Sequence, residues 1–92
     1  MINHDKELDA LFSTILRLET LEECYDFFED LCTINEIVDM KDRFKVALLL
    51  KEGQTYEQIE KQTGMSSATI SRINRCLQYG QGYQNVFNKT VK

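Results

Sequence analysis

The sequence predicts an all-α fold of five to six helices, and three observations predict it. Proline is absent and only four glycines occur in 92 residues, so little in the chain breaks helices or supplies the frequent turns of a many-stranded sheet. Apolar residues recur mostly at three- and four-residue steps, the period of a one-faced helix. Capping residues and glycines stand where these periodic runs begin and end.

The first helix is expected over Lys6–Leu18, with Leu8, Leu11, Phe12, Ile15, Leu16 and Leu18 on its apolar face. Thr20 then offers an N-cap oxygen, and Glu23 three residues later completes a capping box. The second helix, Leu21–Cys32, carries Leu21, Cys24, Tyr25, Phe27, Phe28, Leu31 and Cys32, an arc wider than one narrow stripe. Asn35 is read as the cap of a third helix over Glu36–Glu52, where the run Val46–Leu50 takes every side and reads as buried nearly all round. A small monomer has little interior for so much apolar surface. The expectation is a homodimer in which the N-terminal helices of two copies pack together.

Gly53 ends the third helix as a left-handed cap. Thr55 caps a fourth over Tyr56–Thr63, Gly64 interrupts, and Ser66 caps a fifth over about Ser67–Tyr79. Gly80 and Gly82 break that helix, and a short sixth is expected over Tyr83–Asn88. Tyr79 and Tyr83 read as packing groups rather than base-stacking platforms.

Several classes of function fall away on composition. No apolar run approaches the roughly 20 residues of a membrane span, and the acidic N-terminus is unlike a signal peptide. The reading is a cytoplasmic chain with no membrane partner. Cys24, Cys32 and Cys76 form no close pair and His4 stands alone, which argues against a disulfide framework or a metal site. The thiols read as free and at least partly buried. There is no Ser-His-Asp set and no Gly-rich phosphate loop, so an enzyme is not expected.

The net charge of −4 divides unevenly: residues 1–50 carry −7 and residues 51–92 carry +3. From Gly64 onward no acid occurs, against Arg72, Arg75, Lys89 and Lys92. One end suited to a polyanion is one reading, and a solvated helix face is the other. The residues between Thr55 and Leu77 decide between them. A short helix, a glycine turn and a second helix with Ile70, Ile73 and Leu77 on one side make a helix-turn-helix, with Ile59 and Met65 completing its core. The opposite side presents Ser67, Ala68, Thr69, Ser71, Arg72, Asn74 and Arg75. Small side chains let the backbone approach base edges, hydroxyls serve phosphates or bases, and arginine pairs with guanine or phosphate. Thr55 and Ser66 add helix starts to the candidate DNA-binding set of Thr55, Ser66, Ser67, Ala68, Thr69, Ser71, Arg72 and Arg75.

The stretch GQTYEQIEKQTGMSSATISRINRCLQYG, preceded by LEECYDFFEDLCTINEI and KDRFKVALLLKEG, resembles the Trp-repressor-like YerC/YecD family over about Leu8–Tyr83. The resemblance implies a Trp-repressor-like intertwined dimer whose paired recognition helices enter successive major grooves of duplex DNA. It places Ser67, Ala68, Thr69, Ser71 and Arg72 in the recognition register. It also implies an effector pocket framed by Arg72 and, with a one-residue gap, by Arg43. Ile73 stands where the tryptophan-binding repressor has glycine, so this side chain is expected to fill the indole space. Tryptophan is then not the expected cofactor, and the small-molecule effector is unknown.

The whole chain, 1–92, is read as one domain: dimerisation helices over 1–53, the helix-turn-helix over 55–79 and a C-terminal segment over 80–92. Its expected function is sequence-specific DNA-binding regulation, with repression the leading direction. The alternative is a protein-interaction module that docks another regulator without reading DNA.

Overall fold

The computed structural model describes residues 2–89; Lys92, counted above among the bases, lies outside them. Six α-helices follow one another: α1 (Lys6–Ile15), α2 (Leu21–Leu31), α3 (Ile34–Lys51), α4 (Tyr56–Thr63), α5 (Ser67–Tyr79) and α6 (Gln81–Asn88). Among the described residues there is no strand, and no helix is long and apolar enough to cross a membrane. The fold is all-α.

The helix starts follow side-chain chemistry. The Asp5 carboxylate accepts the Leu8 N–H at 2.7 Å and opens α1. The Thr20–Glu23 capping box forms as the sequence predicts, with Thr20 Oγ1 accepting the Glu23 N–H at 3.1 Å and Glu23 Oε1 accepting the Thr20 N–H at 3.2 Å. At α3 the expected cap is corrected. Thr33, not Asn35, caps this helix: its hydroxyl accepts the Glu36 N–H at 3.2 Å, and Glu36 Oε1 accepts the Thr33 N–H at 2.8 Å. Asn35 already lies within the helix. The reciprocal pair satisfies two backbone donors at once, which a lone asparagine does not. The hydrogen bonds from the Thr33 backbone and side chain hold the Glu36 carboxyl below its ordinary pKa.

α1 stops at Ile15 rather than Leu18. Arg17 and Leu18 donate to Thr14 and Ile15 at 3.0 Å, tightening the end into an i→i−3 turn. α3 closes as the glycine predicts: Gly53 sits at φ 92, and the N–H groups of Gly53 and Gln54 return to Leu50 and Leu49 at 3.0 and 3.1 Å. That is a Schellman closure.

The described residues fall into two compact units that divide between Ile37 and Val38. In the first, neither α1 nor α2 holds a fully buried residue. Leu16, Leu21 and Tyr25 are 84%, 79% and 73% exposed. The second unit has a true core of Val46, Ala47, Ile59, Ile70 and Ile73, with Leu49, Leu50, Tyr56, Met65 and Tyr83 packed against it. The expected all-round burial of Val46–Leu50 is corrected here, because Leu48 is 39% exposed. Only one side of α3 meets α4 and α5 side chains. α6 begins at Gln81, so Gly82 lies inside the helix instead of breaking it.

Candidate functional site

The candidate site grows out of the second unit's core. Ile59 of α4 and Ile70 of α5 are wholly buried, and Ile73 is 6% exposed. Met65 and Leu77 are half-buried beside them. Between the helices Gly64 sits at φ 73, ψ 4, and its N–H returns to the Glu60 carbonyl at 2.8 Å. A Cβ there would touch nothing, so glycine is required by the left-handed backbone alone. The Thr63 hydroxyl donates to the Ile59 carbonyl at 2.7 Å and accepts the Met65 N–H at 3.2 Å. The turn is thus satisfied from its own residues.

α5 starts on a doubly used hydroxyl. Ser66 Oγ accepts the Thr69 N–H at 3.2 Å and donates to Thr69 Oγ1 at 3.0 Å. No acid occupies the first turn, so the partial positive charge of the helix start stands unopposed there. Ser66, Ser67, Ala68, Arg72 and Arg75 are exposed, whereas Thr69 and Ser71 are half-buried. Arg72 and Arg75 are about 4.5 Å apart along the axis, less than one turn. Thr55 is exposed at the start of α4, where its hydroxyl accepts the Gln58 N–H at 3.1 Å. Of the predicted residues, Ser67, Ala68, Thr69, Ser71, Arg72 and Arg75 lie on α5, Ser66 is its N-cap and Thr55 is the N-cap of α4.

The two arginines predicted to frame an effector pocket come together. Arg43 and Arg72 line one cavity of about 280 Å³ with Thr69, Ile73, Cys76 and Tyr83. None of these six residues is acidic, so the cavity's fixed charge is positive. Ile73 is one wall of this cavity. The sequence reading missed Cys76 and Tyr83 as cavity walls. Two further readings are corrected. The Cys76 thiol is exposed rather than packed, because the cavity it lines leaves it open to solvent. Tyr79 is 79% exposed and is no packing group; it closes α5, past the last core isoleucine. Among the described residues no group of three or more metal-ligating side chains occurs.

Comparison with known proteins places this geometry. The model of the Trp repressor protein family matches residues 6–91. The chain is 63% identical over 75 residues to the uncharacterized protein YerC of Bacillus subtilis (strain 168), covering 82% of this chain and 72% of that protein. A crystal structure of a TrpR-like protein from Eubacterium eligens ATCC 27750 is 54% identical, with a TM-score of 0.83, 90% of this chain covered and 87% of that one. A Staphylococcus aureus protein solved as a candidate Trp repressor is 49% identical, again at a TM-score of 0.83, covering 92% of this chain and 86% of that one.

Proposed function

This chain belongs to the Trp repressor protein family, and on that premise we propose that it is a transcriptional repressor that binds duplex DNA as a homodimer through α4 and α5. The observation that carries this reading is the start of α5: exposed, free of acid, and held rigidly on buried isoleucines. Ser66, Ser67 and Ala68 let the helix approach the duplex closely. Ser67 and Ala68 supply readout of base edges, with half-buried Thr69 and Ser71 beside them. Arg72, Arg75 and the helix starts at Thr55 and Ser66 supply phosphate contacts. The dimer is supported by the first unit, whose two complete helices carry large apolar side chains and bury none completely.

The Arg43–Arg72 cavity supports a regulatory reading as well. Two guanidinium groups beside an apolar isoleucine wall suit a small anionic molecule, bound through charge-assisted hydrogen bonds. Tryptophan is not the proposed effector, because Ile73 stands where the resemblance to the tryptophan-binding repressor implies a glycine that leaves room for the indole ring. Calorimetry with tryptophan is expected to show no saturable micromolar binding, and such binding would overturn that assignment.

The test of DNA binding is fluorescence anisotropy against pooled duplex fragments over a range of salt. Saturable binding to a subset, falling steeply with salt, supports the proposal. Arg72→Ala and Arg75→Ala are each expected to lower the salt slope by about 0.9 while the circular dichroism stays helical. Binding that ignores salt, or none at low salt, would favour the protein-interaction reading instead.

A further inference from the structure

α6 follows α5 with a single residue, Gly80, between them. The chain passes so close to the end of α5 that a Cβ at Gly80 would lie 2.6 Å from the Cys76 carbonyl oxygen. The Gly80 N–H donates to that carbonyl at 2.8 Å. The Gln84 side-chain amide, one turn into α6, donates to the Gln78 carbonyl at 2.6 Å. The Gly80 bond is the usual i→i−4 closure of a helix, but the Gln84 bond is not: it satisfies one of the last free carbonyls of α5 from a side chain of α6.

Another part of α6 holds α3. The Phe87 ring lies 6.0 Å from the Phe44 ring and 5.8 Å from Tyr83, which it stacks at 15°. The Lys51 ammonium stands 4.5 Å from the centre of the same ring, within reach of a cation–π attraction. α6 has no side-chain cap and no fully buried residue, and its Tyr83 packs against the core of the second unit. α6 is thus tied to α3 by a ring cluster and to α5 by the Gln84 bond and a one-residue joint. Direction matters to a helix that reads bases, because hydrogen bonds to base edges fail when misaligned. Phosphate contacts by long, flexible side chains tolerate more.

We propose that α6 is a brace that sets the angle at which α5 meets DNA, with Gln84 and Phe87 as positioning residues for sequence discrimination. The inference rests on the DNA-binding reading above. It is tested on the full chain with two duplexes: one selected by the wild-type chain from a random-sequence pool, and a scrambled duplex of equal length. Gln84→Met keeps the side chain's size and removes the donor. Its ratio of selected to scrambled affinity is expected to fall about fivefold, the effect of one hydrogen bond, with the salt slope unchanged. Gln84→Lys keeps a donor, and its added charge acts on both duplexes alike, so the ratio is expected to return.

A Gln84→Met ratio equal to wild type overturns the brace, as does a Gln84→Lys ratio no better than that of Gln84→Met. Loss of both affinities together at constant ratio, with a lowered melting temperature, shows a merely structural role and also overturns it. A wild-type chain that selects no duplex removes the DNA-binding reading, and the brace with it.

Discussion

The two units of this chain make opposite use of similar helices. α2 and α4 both start on complete threonine capping boxes, and α1, α2 and α5 are all amphipathic over ten or more residues. Yet α1 and α2 bury no residue completely, whereas α4 and α5 hold three of the five core side chains. Local helix chemistry is therefore shared, and packing is not. The second unit completes a core within one chain and can hold a reading helix still. The first presents apolar faces of the kind a second copy would cover.

The largest test of that contrast is a pair of truncations, one inside the core and one outside it. Ile70→Ala, in the fully buried core, is expected to cost about 2–5 kcal/mol in urea denaturation. Leu16→Ala, at an 84% exposed position, is expected to change the stability of a single chain by less than about 0.5 kcal/mol. A Leu16→Ala loss that grows on dilution would place that side chain in a dimer interface. Backbone strain comes next. Gly64→Ala at φ 73 is expected to cost about 1–2 kcal/mol. Gly82→Ala, with open space and no positive φ, is expected to be neutral or to stabilise by up to about 1 kcal/mol.

Smaller effects probe what the units share. Thr20→Ala and Thr55→Ala each remove a capping-box oxygen and are expected to cost about 1 kcal/mol apiece in thermal melts. A much larger loss at Thr55 would show that this cap also serves tertiary structure. The smallest effect is at Glu36, whose carboxyl is held below its ordinary pKa by Thr33. A lowered folded-state value means stabilisation that is present above the ordinary glutamate range and disappears as pH falls through the lowered value. The Thr33 amide shift is expected to titrate in that acidic window in the wild type, and the titration should vanish in Glu36→Gln.

What the sequence disclosed follows the same division between local and long-range chemistry. Thr20 with Glu23, the left-handed Gly53 and Gly64, and Ser66 at the start of α5 were legible because each interaction spans only a few residues. Ile59, Ile70 and Ile73 were legible because their positions suit a single buried face. Thr33 was missed although its Thr-x-x-Glu spacing was available, since asparagine alone also looks like a cap. Cys76 and Tyr83 as cavity walls depend on α3, α5 and α6 meeting, which no local period encodes. The partial exposure of Leu48 was hidden for a similar reason: five apolar residues in a row cannot say which side lacks a partner.

The central claim is that DNA meets the second unit, at α5 and the start of α4. The most direct measurement is a ¹⁵N–¹H NMR titration of the full chain with a duplex selected from a random-sequence pool. The account predicts saturating shifts concentrated at Thr55 and from Ser66 to Arg75, with α1 and α2 little changed. Shifts concentrated on α1 and α2, with Ser66–Arg75 unmoved, would contradict it.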